Sequence, residues 1–210
     1  MTAILIADDH AIVRRGLIQL LTDGLPGARF GEAETAAEAV AAARAGDWDL
    51  LVLDISLPGR SGLDVLKDVK STRPKLPVLI LSMHPEEQFA VRALRAGAAG
   101  YLTKQTAPEE LLAAVRKVLR GGRYVSASLA ERLASEIGGE SGKEPHEMLS
   151  DREFQVLRLI ASGLTLTAIA EKLSISVQTV STYRSRLLEK MGMATNADLT
   201  KYVHLHGLIE

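Results

Sequence analysis

Residues 50–54 read Leu50-Leu51-Val52-Leu53-Asp54, an unbroken apolar run that ends in an acid. Such a run is typical of a strand that is covered on both faces in a parallel sheet. The Pro58-Gly59 pair that follows indicates a turn. The strand is therefore expected to end in a lone carboxylate, Asp54, beside that turn.

Four more strand patterns surround this one, and helical patterns separate all of them. The strands are predicted at residues 3–7, 28–32, 78–81 and 99–102, and the helices near residues 11–22, 35–45, 61–72, 86–96 and 108–120. Alternating strands and helices imply right-handed βαβ crossovers. We therefore expect an α/β fold, a doubly wound five-stranded parallel sheet, over the first part of the chain.

The sequence changes in character after residue 120. A further helical pattern near residues 126–137 precedes a Gly-, Ser- and charge-rich stretch, residues 138–145, that indicates a linker. All later patterns are short and helical, near residues 151–162, 166–173, 177–191 and 196–206. Three parts are predicted: an α/β domain over residues 1–120, a helix plus flexible linker over 121–147, and a small all-α domain over 148–210.

The composition excludes several classes of protein. The 210 residues are 47% hydrophobic, which suffices for a packed core, and they include no Cys, which excludes disulfide scaffolds, Cys-ligated metals and thiol nucleophiles. The first ten residues carry two acids and no leading cations, so they do not resemble a signal peptide. No apolar run approaches the roughly 18 residues of a membrane span. We expect a cytoplasmic protein with no membrane partner.

Polar side chains stand at or just beyond the carboxyl ends of four predicted strands, where doubly wound sheets bind ligands. They are Asp8, Asp9, Asp54, Ser82 and Lys104. Because three carboxylates repel one another, a cation is expected among them, and an all-oxygen, partly hydrated site suits Mg²⁺. Asp54 could then accept a phosphoryl group, with Ser82 and Lys104 contacting its oxygens. Taken singly, each acid could instead cap a helix, and Lys104 could be a surface charge.

These motifs resemble the receiver domain of two-component response regulators. The resemblance covers residues 1 to about 120 and rests on four stretches: Asp8-Asp9-His10, Leu53-Asp54-Ile55-Ser56-Leu57-Pro58-Gly59, Leu81-Ser82-Met83-His84 and Gly100-Tyr101-Leu102-Thr103-Lys104. It implies that a sensor histidine kinase phosphorylates Asp54. It also implies Mg²⁺ ligation by Asp9, Asp54 and the backbone carbonyl of Ser56, with Asp8 assisting.

The same resemblance implies a conformational switch. In such receivers the hydroxyl at Ser82 follows the phosphoryl group, and the aromatic side chain at Tyr101 swings inward behind it. Many receivers have proline in a cis peptide after the lysine, whereas here Gln105 follows Lys104. A cis bond before a residue other than proline costs about 3–4 kcal/mol, so either the site bears that strain or the loop is built differently.

Two of the C-terminal helical patterns are joined by the tight turn Ser174-Ile175-Ser176. The second, residues 177–191, has an apolar side and an opposite face of short polar residues. Such a pair describes a helix-turn-helix, although the pattern alone also fits a plain helical bundle.

The C-terminal motifs resemble the LuxR-type DNA-binding module, over about residues 148–210. Joined to a receiver, such a module is similar to the NarL/FixJ subfamily of transcriptional regulators, which implies binding to double-stranded DNA as a homodimer. The motifs are Leu149-Ser150-Asp151-Arg152-Glu153-Phe154-Gln155-Val156-Leu157, Ile169-Ala170-Glu171-Lys172-Leu173 and residues 177–191. Many members carry lysine where this chain has Thr167 and Ser181, and residues 146–210 hold equal numbers of acids and bases.

The residues predicted to contact DNA lie on the pattern 177–191. They are Gln178, Thr179, Ser181, Thr182, Ser185, Arg186 and Lys190. At about 100° per residue most of the short polar ones share the exposed face, which would read bases in the major groove. Arg186 and Lys190 flank that face and suit phosphate contacts. Arg184 falls in the apolar stripe, so its head should reach a phosphate or an internal carboxylate.

Other polar residues receive simpler interpretations. Leu199, Tyr202, Val203 and His206 form a stripe for packing or dimer contact. His10 is expected to pack or cap, and Arg14 with Arg15 to lie on a solvated helix face.

The predicted function is a phosphorylation-controlled transcription regulator, not an enzyme. A phosphoaspartate hydrolase would need a second carboxylate at position 56, where this chain has Ser56. The other alternative is a phosphorylation-switched protein whose helical tail binds a protein partner.

Overall fold

The computed structural model describes residues 1–58, 60–137 and 144–209. Its contacts divide the chain into two compact units, Met1–Ala134 and Ser135–Glu210. Gly59 of the predicted turn and residues 138–143 of the predicted linker lie outside the described residues. Within those described ranges, no helix combines the length and the apolar character that crossing a membrane requires.

The first unit is built on one sheet of five parallel strands in the order β2-β1-β3-β4-β5. The strands are β1 Ala3–Ala7, β2 Arg29–Ala33, β3 Leu50–Asp54, β4 Val78–Ser82 and β5 Gly100–Thr103. Its helices are α1 Ala11–Gly24, α2 Ala36–Ala45, α3 Gly62–Thr72, α4 Glu86–Arg95 and α5 Ala107–Leu119, and the boundary between the two units falls within α6 Ala127–Ile137. The predicted doubly wound α/β fold is confirmed.

The central strands are apolar because helices cover both faces of the sheet. Every residue of β1, β3 and β4 is buried. The register sets Ala7 beside Leu53, and Asp54 beside Leu81. The carboxyl ends of β1, β3 and β4 are therefore level, and the polar residues that follow them gather at one edge.

The first unit continues past residue 120, where the sequence placed the end of the α/β domain. The backbone N–H of Tyr124 donates to the carbonyl of Ala99 at 2.8 Å, and Tyr124 forms a parallel bridge with Gly100. A side chain at position 100 would come within 2.6 Å of the Tyr124 carbonyl oxygen, so glycine permits this approach. Leu129 of α6 is also buried. The residues just after α5 thus complete the α/β unit.

The second unit is all-α, as predicted. A 3₁₀ turn at Pro145–Met148 precedes α7 Asp151–Ala161, α8 Leu166–Leu173, α9 Val177–Met191 and α10 Asn196–Leu205. Helix α7 begins with a capping box, in which Ser150 and Glu153 satisfy each other's backbone N–H groups. The helices bury a shared apolar core that includes Phe154, Leu157, Ile169, Val180, Leu187, Leu199 and Val203.

The α8–α9 turn has the geometry of a helix-turn-helix. Ser174 ends α8 in the left-handed region with φ 53°, the only non-glycine residue with positive φ in the described part of the chain. Ile175 N–H donates back to the Ala170 carbonyl at 3.0 Å, which closes the end of α8. Ser176 then caps α9 by accepting from the Thr179 N–H at 3.1 Å.

Candidate metal centre and nucleic-acid interface

The carboxylates predicted at the strand ends do meet. Asp8, Asp9 and His10 follow β1, Asp54 ends β3, and one ligand atom from each lies within 4.8 Å of the others. Asp8 and Asp54 are buried, whereas Asp9 and His10 are exposed. A buried acid beside a solvent-facing acid makes an open, oxygen-rich cluster at the edge of the sheet.

Lys104 reaches into this cluster from the end of β5. Its ammonium nitrogen lies 2.6 Å from Asp8 Oδ2 and 2.9 Å from Asp54 Oδ2. Burial alone would lower the pKa of Lys104, but the two carboxylates outweigh burial and raise it. Lys104 is therefore a fixed cation facing the pocket rather than a surface charge.

Asp54 is held in place from the chain that follows it. Its Oδ1 accepts a hydrogen bond from the backbone N–H of Ser56 at 3.1 Å. Burial raises the pKa of Asp54, with Asp8 adding to the rise, while Lys104 and the Ser56 N–H oppose it. Gly62 at the start of α3 packs under the strand end, where an added Cβ would lie 2.1 Å from the Asp54 carbonyl oxygen.

The chemistry of this cluster fits a hard divalent cation. The ligand atoms on offer are mainly carboxylate oxygens, which Mg²⁺ prefers. Asp8 Oδ2 is buried, and the Lys104 ammonium lies 2.6 Å from it. Asp8, Asp9 and Asp54 are the carboxylates that could hold Mg²⁺.

The predicted switch residues are connected through His84. The Tyr101 ring is buried, and its hydroxyl donates to the His84 carbonyl at 2.8 Å. The backbone N–H of His84 donates to the buried hydroxyl of Ser82 at 3.0 Å. The ring nitrogen Nε2 of His84 lies 3.4 Å from the Ser56 hydroxyl. Tyr101 thus faces inward in this structure, and one residue links it to Ser82 and to the loop after Asp54.

The loop after Lys104 is built without a cis peptide, so the Lys104–Gln105 bond is trans. The backbone N–H of Lys104 donates to the Ser82 carbonyl at 2.7 Å. Thr106 N–H then donates to the Thr103 hydroxyl at 3.2 Å. Of the two possibilities for Gln105, a strained cis bond or a loop that is built differently, the structure shows the second.

Two residues beside the pocket make contacts that the sequence did not predict. His10 Nδ1 lies 2.7 Å from Asp9 Oδ1 and 3.3 Å from Asp8 Oδ1, so it contacts the acids directly. Arg14 was predicted on a solvated face with Arg15, but it is 5% exposed and donates to the Asp8 carbonyl at 2.8 Å. The sequence signal was its helical register with the buried Leu17 and Leu21.

The outer face of α9 presents most of the residues predicted to contact DNA. Gln178, Thr182, Ser185 and Arg186 are exposed, and Thr179 and Ser181 are half-buried. The hydroxyls of Thr182 and Ser185 donate to carbonyls of their own helix at 3.0 and 3.1 Å. Their oxygens therefore present acceptor lone pairs outward, which suits contact with donors.

Two basic residues of α9 are held within the unit. Lys190 Nζ lies 2.6 Å from the carboxylate of Glu153, which is 3% exposed, so an internal ion pair holds the cation that was predicted to contact a phosphate. Arg184 Nε donates to the side-chain oxygen of Asn196 at 2.6 Å, an amide rather than the phosphate or carboxylate that was expected.

The stripe on α10 divides between packing and surface. Leu199 and Val203 are fully buried in the unit's own core, so they cannot serve the predicted dimer contact. Tyr202 is half-buried and His206 is exposed, and their rings stack at 3.9 Å. Of the stripe, only these two residues keep surface exposed to solvent.

Comparisons with known proteins agree with this two-part organisation. The family model for the response regulator receiver domain matches residues 4–116, and the model for bacterial regulatory proteins of the luxR family matches residues 147–203. The response regulator UvrY of Escherichia coli O6:H1 is 35% identical, with 99% of this chain and 96% of that protein covered. The response regulator GacA of Pseudomonas aeruginosa is 32% identical, with coverage of 100% and 99%.

Solved structures give the same result. RcsB of Salmonella enterica serovar Typhimurium, bound to promoter rprA in the presence of BeF₃⁻, matches with a TM-score of 0.66 and 28% identity over 97% of this chain and 98% of that one. An RcsB–DNA complex matches with a TM-score of 0.59 and 27% identity, over 100% and 99%. The chain belongs to the NarL/FixJ family of response regulators, DNA-binding transcription regulators rather than enzymes, in which a receiver domain precedes a LuxR-type helix-turn-helix domain.

Proposed function

We propose that Asp54 accepts a phosphoryl group from a sensor histidine kinase, and that this modification controls DNA binding by α9. The observation that carries the proposal is the contact of Lys104 with both Asp54 and Asp8, which sets a fixed cation against a buried acceptor. An isolated surface acid has no such partner. The resemblance of the pocket motifs to receivers supports the same assignment.

In the proposed transfer, a carboxylate oxygen of Asp54 attacks the phosphorus of a phosphohistidine. A P–O bond forms while the P–N bond breaks, and the leaving imidazole nitrogen keeps the electron pair and takes up a proton. Lys104 offsets charge on the transferring oxygens, and the Ser82 hydroxyl can donate to one of them. Water later attacks the phosphorus, which releases inorganic phosphate and restores Asp54.

Mg²⁺ is the proposed cofactor, held by Asp8, Asp9, Asp54 and the backbone carbonyl of Ser56. When bound, it would offset the repulsion between the acceptor carboxylate and the incoming phosphoryl group. Lys104 alone faces two carboxylates, so a further cation is required before a third anion can approach.

The control step is proposed to run through Ser82 and Tyr101. The Ser82 hydroxyl, which now accepts from the His84 N–H, would be drawn toward a phosphoryl oxygen on Asp54 in order to donate to it. His84 also holds the Tyr101 hydroxyl, so a change at Ser82 is transmitted to Tyr101. We expect phosphorylation to raise the affinity of the full chain for DNA.

The DNA interface is proposed to be the exposed face of α9, with Gln178, Ser181, Thr182 and Ser185 near bases and Arg186 near a phosphate. RcsB has been solved as two dimers bound to two parallel DNAs, and we infer that this chain also binds DNA as a homodimer. Tyr202 of α10 and His206, which follows it, are proposed to contact the second copy. A DNA-binding regulator of this kind acts in the cytoplasm.

The proposal is tested with the full-length protein and radiolabelled acetyl phosphate in Mg²⁺. Asp54→Asn should take up no label and keep its fold. Asp47→Asn, an exposed acid at the opposite edge of the sheet, should label like the wild type and serves as the matched control. Labelling of the Asp54 variant at the wild-type level would disprove the acceptor assignment.

Control of DNA binding needs a second measurement. Fluorescence anisotropy with fragments selected from genomic DNA should show tighter binding after phosphorylation, at equal protein concentration. Equal affinities for both forms would contradict the coupling. Absence of salt-dependent DNA binding altogether would instead favour a helical tail that binds a protein partner.

A further inference from the structure

Arg14 is a buried arginine beside the acidic cluster, and its guanidinium contacts three different groups. Arg14 lies in the first part of α1 and is 5% exposed. Nη1 donates to the Asp8 carbonyl at 2.8 Å, and Nε donates to Glu32 at 2.9 Å. Nη2 donates to the carboxylate of Glu34. Such a fork of donors matches arginine and not lysine.

These contacts brace the backbone of Asp8 against the end of β2. The Asp8 N–H donates to the Ala33 carbonyl at 3.1 Å, so the neighbouring strand holds one side of the residue. Arg14 holds the other side through the Asp8 carbonyl, and it is itself anchored on Glu32 and Glu34, which flank Ala33. The result is a closed bracket between the ends of β1 and β2.

The bracket also constrains the turn that contains Asp8 and Asp9. Asp8 Oδ1 accepts from the His10 N–H at 2.8 Å, and the His10 carbonyl accepts from the Arg14 N–H at 3.1 Å. Arg14 therefore holds the turn that contains Asp9 by two contacts. Its backbone N–H binds the His10 carbonyl, and its guanidinium binds the Asp8 carbonyl. Movement of the guanidinium would release the carbonyl of Asp8 and loosen that turn.

We propose that Arg14 is a positioning residue for the cation site, acting through the Asp8 carbonyl to hold the carboxylates of Asp8 and Asp9 in place. This inference rests on the proposed function, because it assumes that the cluster binds Mg²⁺. Residues that orient metal ligands typically change metal affinity 10- to 100-fold when they are removed.

Charge and position predict opposite results, which makes the inference testable. Arg14 is a cation near a cation site, so its removal on charge grounds alone should tighten Mg²⁺ binding. Loss of the bracket should weaken binding instead. Lysine at this position keeps the charge but has one ammonium in place of the fork, so charge alone predicts no change for Arg14→Lys.

The experiment titrates the full-length protein with Mg²⁺ alone and measures its Kd by calorimetry. We expect Arg14→Met to raise the Kd at least tenfold and Arg14→Lys to raise it several-fold. Arg73→Met is the matched control, because Arg73 also donates to backbone carbonyls, those of Ala43 and Gly46 among them, near the end of α2. Its Kd should equal that of the wild type.

Melting temperatures with and without saturating Mg²⁺ complete the test. A merely structural role would lower both by the same amount and leave the Kd unchanged. If Arg14→Met does not fold, Arg14→Lys carries the test. An unchanged or lower Kd in Arg14→Lys would overturn the inference, while a wild type that fails to bind Mg²⁺ would overturn the proposed metal site itself.

Discussion

The ammonium of Lys190 lies 2.6 Å from the carboxylate of Glu153, across the contact between α9 and α7. Glu153 is also the third residue of α7, where its carboxylate accepts from the Ser150 N–H at 2.8 Å. One buried acid therefore closes the cap of α7 and fixes the end of α9. The pair makes Lys190 part of the unit's own framework.

Acid should weaken this pair in a defined direction. Burial alone would raise the pKa of Glu153, but Lys190 and Ser150 outweigh burial and hold the pKa below its ordinary value of 4.5. The ionised acid therefore stabilises the fold above about pH 5, and this contribution is lost as pH falls through the folded-state pKa. Glu153→Gln should lower the free energy of unfolding by about 1–2 kcal/mol at pH 7 and less at pH 3.

Urea unfolding of the wild type and of Glu153→Gln across this pH range checks that prediction. Glu171→Gln, a change at an exposed acid of α8, is the control and should leave the free energy of unfolding within about 0.5 kcal/mol at each pH. A difference between wild type and Glu153→Gln that stays constant from pH 7 to pH 3 would show that the carboxylate charge is not what matters.

Arg186 and Lys190 should differ in their effect on DNA binding. Arg186 is exposed on α9, so Arg186→Ala should flatten the plot of log affinity against log salt by about one unit, on specific and random DNA alike. Lys190→Met should leave the slope unchanged, because Glu153 already holds its charge. Anisotropy titrations at several salt concentrations measure both. If Lys190→Met flattens the plot as much as Arg186→Ala does, Lys190 contacts a phosphate.

The sequence was sufficient to predict the fold because the central strands are continuous apolar runs, which indicate burial on both faces. Runs such as Leu50–Leu53 have no polar alternation, which is typical of a sheet covered on both faces. The pocket followed from topology, since parallel strands bring Asp8 and Asp54 to the same edge. These inferences need only the order of the elements.

Pairings between distant segments were beyond the sequence. Whether Lys190 faces solvent or Glu153 depends on how α9 crosses α7, and a helical wheel carries no such information. Arg14 was assigned to solvent because arginine is rarely buried without partners, and its partners lie 18 and 20 residues away, in β2 and just after it. In the sequence, Leu199 and Val203 fit a dimer contact as well as internal packing. The structure shows that the contact of α10 with α7 buries both residues.

Lys104 should be needed for stability as well as for phosphoryl transfer. Its side chain is 9% exposed, and Lys104→Met would leave the buried Asp8 and Asp54 facing each other without a cation. In chelator, we expect the free energy of unfolding to fall by about 3 kcal/mol, as for other broken buried ion pairs. Saturating Mg²⁺ should restore part of the loss by binding the folded state.

The double variant Lys104→Met/Asp54→Asn gives the physical cause. Neutralising Asp54 removes one of the two repelling charges, so the double variant should be more stable than Lys104→Met alone. Lys75→Met, at an exposed lysine, should change the free energy of unfolding by less than about 0.5 kcal/mol. Two purely additive effects in the double-mutant cycle would mean that Lys104 and Asp54 do not interact.

The turn between α8 and α9 can be made more stable by one substitution. Ser174 adopts φ 53°, a left-handed conformation that is unfavourable for residues with a Cβ and that glycine adopts freely. Ser174→Gly should therefore raise the free energy of unfolding of the helical unit by about 0.5–1 kcal/mol, after the entropy that glycine adds to the unfolded chain. Ser162 also ends a helix, but at φ −77°, so Ser162→Gly should give no gain. Thermal unfolding of the two variants beside the wild type decides the matter, and a gain at both serines would trace the effect to something other than the left-handed turn.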